Sequence, residues 1–414
     1  MEFIADFHIH SKYSRATSRD MDVQHIADWA KLKGVTLMGT GDFTHHLWLE
    51  ELKYKLQDSG NGLFKYQDIS FILTAEISSI YSKNGRGYRI HNLIFSPSFK
   101  TTDKINATLS RYGNLASDGR PIMGLDAEEL ARIIFDIDEN CMVVPGHIWT
   151  PWFSLFGSMS GFDRIQDCFE AQTAKIFALE TGLSSDPAMN WRLSALDRFT
   201  LISNSDSHSP SKIGREANVF NCELSYKAIR EVLKSKDKEK FLYTIEFFPE
   251  EGKYHFDGHR VCGVSFSPEQ TKENKGICPK CGKPVTVGVM SRVDKLADRP
   301  EGYRPSNAIG YKNLVPFNEI VAQAKGVSVS SVAVEREYRS FIAKFGAEFD
   351  ILIRATPEQL IKGLPRRLAD GVLKMRQGKA NIQPGFDGEY GKVSLFDPTS
   401  QSQDNKGEEQ LSLF

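Results

Sequence analysis

Long apolar runs are missing from this 414-residue chain, and with them any segment of membrane-spanning length. Net charge is nearly absent too. The 52 basic and 53 acidic residues leave a formal charge of -1, so no overall field draws in a polyanion and any nucleic-acid surface has to be a local patch. Cysteine is scarce: six residues in a chain this long make no disulfide framework. Cys141, Cys168 and Cys222 are scattered, two of them in or beside apolar segments, and read as small buried hydrophobes. The first apolar run starts within three residues of Met1, which leaves no room for a secretory leader and makes the cytoplasm the expected compartment. Length allows two or three domains.

What the chain does carry is histidine and carboxylate in or at the ends of short apolar runs. Residues 3–10 end in His8-x-His10, 36–41 are closed by Asp42, and 69–75 by Glu76. His91 lies within 88–95, His147 closes 141–146, and Asp206 and His208 follow 201–205. Alternate residues of a strand point to one side, so His8 with His10, and Asp206 with His208, each form a two-toothed clamp. A single strand-end histidine is usually a hydrogen-bonded core residue, and an aspartate after a strand is usually a helix cap. Eight such residues at six places point instead to a multinuclear metal centre, and so to a metal-dependent hydrolase. The ligand set is His8, His10, Asp42, Glu76, His91, His147, Asp206 and His208, with Glu76, Asp206 and His208 assigned to catalysis. His45 and His46 are alternates. His25 sits inside a helical pattern and is left out.

Up to about residue 235, seven apolar runs (near 3–10, 35–41, 70–78, 88–96, 141–147, 176–181 and 199–206) alternate with helical patterns at 21–33, 47–56, 126–135, 187–196 and 225–234. Asp126 with Glu129 looks like a capping box. That alternation predicts an α/β fold with a parallel sheet, and ligands at strand ends favour a distorted seven-stranded TIM-like barrel. From about 247 the texture turns to Gly, Pro and Lys. His259-x2-Cys262 and Cys278-x2-Cys281 have zinc-ribbon spacing, with His255 as a rival ligand, and so small a core needs its metal. Helical patterning returns at 318–325, 330–344 and 368–375. Basic residues there (Arg366, Arg367, Lys374, Arg376, Lys379), with Lys280, Lys283, Arg292, Lys295, Arg299 and Arg304, are candidates to track a phosphate backbone, although a solvated face is the commoner meaning. The expected domains are a hydrolase barrel at 1–240, a zinc ribbon at 241–305, a helical DNA-contacting region at 306–385 and a flexible tail at 386–414. The tail ends in Gln410-Leu411-Ser412-Leu413-Phe414, an apolar tip on a polar tether.

Phe7-His8-Ile9-His10-Ser11, Gly39-Thr40-Gly41-Asp42, Glu76, His91, Pro145-Gly146-His147 and Ser205-Asp206-Ser207-His208 resemble the PHP (polymerase and histidinol phosphatase) superfamily. The resemblance implies a distorted (βα)7 barrel holding a trinuclear site. Asp42 is followed by Phe43 where the superfamily usually has His, which makes Asp42 the expected ligand. Ser14 and Arg15 occupy the place of a further His. Thr150-Pro151-Trp152, Leu179-Glu180-Thr181-Gly182, Gly214-Arg215-Glu216 and the Cys-Pro-x-Cys-Gly ribbon bring the chain, over about residues 1–380, closer to the endonuclease Q family.

That likeness implies hydrolysis of the phosphodiester 5′ to a deaminated base (hypoxanthine, uracil, xanthine) or an abasic site in double-stranded DNA, leaving 3′-hydroxyl and 5′-phosphate. The implied cofactors are one structural zinc and two or three divalent ions in the barrel, zinc first and manganese or magnesium as alternatives. Trp149 and Trp152, in an aromatic loop after His147, are expected to line a pocket for the extruded nucleotide or wedge the duplex, with plain packing as the alternative. Arg215, Arg366 and Arg367 complete the DNA-contacting set. Gln410, Leu411, Leu413 and Phe414 resemble the bacterial sliding-clamp-binding pentapeptide, which makes a clamp the second expected partner. A PHP-type phosphatase acting on a small phosphate monoester is the competing reading.

Overall fold

The computed structural model describes residues 1–396. The described chain divides into two compact units, 1–313 with 384–391, and 314–383 with 392–396. The ribbon segment at 241–305 belongs to the first unit. The clamp-like pentapeptide lies outside the described residues.

Seven strands stand where the apolar runs place them. β1 (Glu2–Asp6), β2 (Leu37–Gly39) and β3 (Ile69–Lys83) pair in parallel. β4 (Arg86–Ser96) returns antiparallel along β3, and β5 (Met142–Pro145) pairs antiparallel with β4. β6 (Ala178–Glu180) lies beside β5 and pairs in parallel with β7 (Thr200–Ile202). The continuation of β7 meets that of β1 at a parallel bridge between Ile9 and Ser207, where the His10 N–H donates to the Ser207 carbonyl at 2.9 Å. The mixed α/β fold is as expected, but the sheet is not all parallel. Asn84 and Gly85, both at positive φ (53° and 77°), fold the chain straight back from β3 into β4. Asn-Gly between two apolar strands is a strong hairpin signal that the parallel reading passed over.

Alternate residues of these strands fill the interior: Phe3, Ala5 and Phe7 from β1 and its extension, Ile72, Leu93 with Phe95, Met142 with Val144, Ala178 and Ile202. Phe7 packs edge-on against Phe95, with ring centroids 5.5 Å apart. Truncating a fully buried ring such as Phe7 to Ala would cost about 3–5 kcal/mol. Helices cover the outside where their caps start them. Asp22, Asp126 and Ser225 each accept the backbone N–H three residues on, opening Val23–Lys33, Ala127–Ile137 and Tyr226–Ser235. The expected helix at 187–196 breaks into Pro187–Trp191 and a short turn at Ser194–Leu196. Phe99–Leu109 is a helix that the periodicity did not reveal, because three threonines weaken its pattern.

In the second unit, Phe317–Lys325, Val332–Phe345, Pro357–Gly363 and Arg366–Arg376 are helical. Arg376, a candidate phosphate contact, instead donates to the carbonyls of Ile351, Leu352 and Ala355 at 2.7, 2.8 and 2.6 Å, satisfying a buried helix end.

On the first unit β8 (Ala217–Asn221) lies antiparallel to β1, and β9 (Phe241–Glu246) antiparallel to β8. Ala217 pairs with Ile245, so Glu216 stands opposite Glu246, and both are fully buried. Burial pushes the Glu246 carboxyl up to about 8, with Asp186 adding to it, against hydrogen bonds from Thr244, Ser203 and Thr181. Burial and the facing Glu246 hold Glu216 well above the carboxylate range, with Glu180 contributing. The folded state therefore keeps protons that the unfolded chain releases near pH 4.5, and stability falls as pH rises from about 4.5 to about 8. Glu216→Gln is expected to relieve this, so its Tm relative to wild type should climb between about pH 5 and pH 8. A pH-independent difference in thermal unfolding would remove the pair from that role.

Candidate metal centre

Three residues next to one another along β1 and its extension set the geometry. Asp6, His8 and His10 lie on one side of the strand, and all are fully buried. His8 Nδ1–H donates to Glu180 Oε1 at 2.9 Å, and His10 Nδ1–H donates to Asp42 Oδ1 at 3.1 Å. These rear hydrogen bonds fix ring orientation and leave Nε2 of each imidazole aimed at the centre. There His10 Nε2 lies 3.0 Å from Asp206 Oδ1 and 3.3 Å from Glu76 Oε2. His8 Nε2 is 3.5 Å from Glu76 Oε2 and 3.6 Å from Asp206 Oδ1, and has no hydrogen-bond partner.

The other Glu76 oxygen faces a second pair. His91 Nδ1 lies 2.7 Å and His147 Nε2 3.1 Å from Glu76 Oε1, while the two ring nitrogens are 3.1 Å apart. His147 in turn uses Nδ1 on Thr150 Oγ1 at 3.0 Å, and its backbone N–H donates to Glu180 Oε2 at 2.7 Å. Two groups result: His8, His10, Glu76 and Asp206, and Glu76, His91 and His147. Glu76 belongs to both. Burial raises the cost of its charge, but His91, Arg120 and His8 outweigh that and hold its carboxyl well below the usual range.

The donor chemistry fits divalent metal. An imidazole nitrogen buried without a partner, two more crowded at 3.1 Å, and a carboxylate shared between the groups are all relieved by cations at the two foci. Asp206 and His147 hold non-glycine positive φ (46° and 28°), as does Asp42 (49°). Such strain collects at sites where neighbouring structure dictates the backbone. Gly41, beside Asp42, admits no side chain: an added Cβ would stand 2.2 Å from the Ile9 carbonyl.

Not every expected ligand joins a group. Asp42 sits behind His10, fully buried, and its Oδ2 accepts from the Ser11 N–H at 2.6 Å, the Ser11 hydroxyl at 2.7 Å and the Ser14 hydroxyl at 2.9 Å. It occupies the position of a carboxylate that orients an imidazole. Ser14, in the place of a further histidine, serves that same carboxylate. His208 donates from Nδ1 to the Asp206 carbonyl at 3.0 Å and lies at the mouth, its ring 4.4 Å from that of His10. His45 stacks on Tyr13 away from both groups, and His25 bonds Asp22 at a helix start. Glu180 was missed as a site residue. It is fully buried, ends β6 as Glu76-type acids end their runs, and could have been found by the same rule. Arg120, which donates to Glu76 Oε2 at 3.1 Å from a loop, had no sequence signal.

Downstream, His259, Cys262, Cys278 and Cys281 converge as a third group, and His255 is not among them. The Gly282 N–H donates to the Cys278 carbonyl at 2.9 Å, closing the knuckle, with Gly282 at φ 74°. Only Val264, Cys278 and Val285 form the buried cluster here, too few to hold the segment without a cross-link.

The expected DNA contacts divide. Trp149 is fully buried, with its indole N–H donating to Asn190 Oδ1 at 2.8 Å, so it is a packing residue. Trp152 is 44% exposed, and the Arg89 guanidinium sits 5.2 Å over its ring. Arg215 donates to the Ser205 carbonyl at 2.9 Å, bracing the Asp206 loop. Arg292 is buried against the Phe156 and Phe162 carbonyls, and Arg299 pairs with Asp197 at 2.6 Å, so neither is available to phosphate. Arg366 is exposed on its helix, and Arg367 lies over the Phe396 ring.

Comparison with known proteins places this geometry. Residues 316–379 match the family model described as the MJ0043 C-terminal domain. The chain is 32% identical to protein MJ0043 of Methanocaldococcus jannaschii over 66% of its own length, and spans about a third (36%) of that archaeal protein. It is 28% identical to YqxK of Bacillus subtilis over 94% of this chain and 98% of that one. Among solved structures, the lesion-specific endonuclease PfuEndoQ of Pyrococcus furiosus superposes with a TM-score of 0.86 at 32% identity, covering 95% of each chain. An endonuclease Q bound to a 27-mer duplex with an abasic lesion at its active site superposes at 0.84 with 31% identity, covering 98% of this chain and 100% of that one.

Removing the shared carboxylate should empty both imidazole groups. Glu76→Ala is expected to lower bound metal by more than one ion per chain while sparing the ribbon, and Cys278→Ser to lower it by one while sparing the barrel. Elemental analysis of dialysed full-length proteins reads both. Wild-type metal content in either variant would remove the corresponding group as a metal site.

Proposed function

Because the chain belongs to the endonuclease Q family, we propose that it is a metal-dependent DNA endonuclease that nicks one strand beside a damaged nucleotide. The single observation that carries this reading is the likeness to a lesion-specific endonuclease over 95% of both chains, with the metal-ligating groups in the compact unit. The finer assignment is cleavage of the phosphodiester 5′ to a deaminated base or an abasic site, leaving 3′-hydroxyl and 5′-phosphate.

His8, His10, Glu76 and Asp206 would hold one ion, and Glu76, His91 and His147 another. Divalent ions there would supply Lewis-acid charge to acidify water and stabilise a departing oxygen. Asp42, Glu180 and Thr150 keep three of the imidazoles aimed inward. Asp206 and His208 are the partly exposed groups, with side chains 26% and 30% accessible, so they meet substrate first. A phosphate backbone reaching this mouth must present its scissile linkage out of the regular helix, and a lesion makes that extrusion less costly. Trp152 and Arg366 are the exposed aromatic and cation assigned to flanking DNA, and Arg215 and Arg367 complete the assigned set. The His259, Cys262, Cys278 and Cys281 group is assigned one structural zinc, and the barrel ions are assigned zinc, manganese or magnesium. The 410–414 segment is assigned to a sliding clamp, with Gln410 as polar anchor and Leu411, Leu413 and Phe414 as apolar plug.

A labelled duplex with one abasic site or one hypoxanthine, incubated with protein and Mn²⁺ or Mg²⁺, should be cut once on the 5′ side of the lesion. Asp206→Asn should abolish the cut and keep duplex binding. Release of phosphate from small monoesters with no cut at the lesion would decide for a phosphatase. Deleting 410–414 should abolish capture by a purified bacterial sliding clamp and leave nicking of a short duplex unchanged; retained capture would refute the tail assignment.

A further inference from the structure

Arg120 comes from the loop just ahead of a two-residue strand, Ile122–Met123, that pairs in parallel with Ser78 and Ser79, and its guanidinium reaches the buried centre. Nη1 donates to Glu76 Oε2 at 3.1 Å. Glu76 is wholly inaccessible, whereas the Arg120 side chain is 29% exposed, so the guanidinium spans from the shared carboxylate to the open mouth. Its field partners are Glu76 first and Asp206 as well, which puts it beside the two carboxylates of the first metal-ligating group.

The backbone around it is tied down on both sides. The Gly119 N–H donates to the Tyr13 carbonyl at 3.1 Å, the Thr44 hydroxyl donates to the Gly119 carbonyl at 3.2 Å, and the Ser78 N–H donates to the Pro121 carbonyl at 3.0 Å. The Arg120 N–H itself donates to Asp118 Oδ1 at 3.2 Å. Gly119 allows this close seating: an added Cβ would stand 2.3 Å from both Asp42 Oδ2 and Ser14 Oγ. A loop clamped to the strand carrying Glu76 and to the segment behind His10 delivers one charged fork, already oriented, to the centre.

Resting on the reading of this site as a phosphodiesterase, we propose that Arg120 is a catalytic residue that donates to a non-bridging oxygen of the scissile phosphate. The guanidinium has five N–H donors, and one of its nitrogens is engaged by Glu76. A planar fork suits two oxygens of one phosphate. Charge grows on those oxygens as water attacks phosphorus and the bond to the 3′-oxygen breaks. The guanidinium stays protonated throughout, so it stabilises that charge without joining the proton transfers. Its anchoring means little reorganisation is needed at the moment of reaction.

The test compares wild type, Arg120→Ala and Arg120→Lys on the abasic duplex under single-turnover conditions. Arg120→Ala should lower the rate about 100- to 1,000-fold, and Arg120→Lys should recover part of it as a point charge without the fork. Metal content of all three should match. The slope of log Kd for the duplex against log salt should fall by about one in Arg120→Ala, reporting one lost phosphate contact. If wild type fails to nick, the phosphodiesterase reading falls. Should wild type nick and Arg120→Ala equal it, or should Arg120→Ala lose metal, the catalytic assignment is overturned, the latter outcome making Arg120 a support for Glu76.

Discussion

One carboxylate ties the functional half of this molecule together. Glu76 lies in the middle of a long strand, with no exposure to water, and presents one oxygen to each of two imidazole pairs. A buried carboxylate among four ring nitrogens is costly unless positive charge lies between them. That requirement links segments distant in sequence: the extension of β1 supplies two rings, β4 one, and the turns after β5 and β7 the remaining imidazole and aspartate. The barrel core beneath, built from alternate residues of the same strands, places these groups by its own packing.

A second layer holds the first. Glu180 receives both the His8 ring N–H and the His147 backbone N–H, so one carboxylate fixes a member of each pair. Asp42 does the same for His10 with support from Ser11 and Ser14. Beside this layer the Glu216 and Glu246 acids face one another, and share the environment of Glu180. The Glu76 carboxyl held low among imidazoles and Arg120, and the Glu216 and Glu246 carboxyls held high next to it, show how closely surroundings set the ionisation of each acid. The ribbon follows the opposite economy of structure, with almost no apolar core and four ligands from two tight turns.

The endonuclease Q membership rests on the whole chain, ribbon and helical unit included. The chemistry proposed here rests on the far smaller set of atoms at the mouth. Asp206, His208 and Arg120 are the partly exposed charged or polar groups that combine reach into the centre with access to solvent. Trp149 illustrates the converse. An aromatic residue near the site reads as a DNA wedge in one dimension, but its indole satisfies Asn190 inside the core.

Seven strand positions, most helix starts, the ribbon spacing and most of the residues that converge in the buried groups were legible in the sequence, because each follows from local rules: alternation of apolar residues, side-chain caps, and donor residues at fixed short separations. The Asn84-Gly85 hairpin was equally local and went unread. Which acid joins the imidazole groups and which stands behind a ring is a matter of tertiary structure. Asp42 and Glu180 look identical in sequence to Glu76, a carboxylate closing an apolar run, and differ in which way the neighbouring imidazole turns. It also decided that Arg120 belongs to the centre, since a loop cation carries no periodic mark and its reach depends on contacts with Tyr13, Thr44 and Ser78, far away in the chain. Local chemistry is written in short windows, whereas partnership between buried charges exists only once the strands have closed.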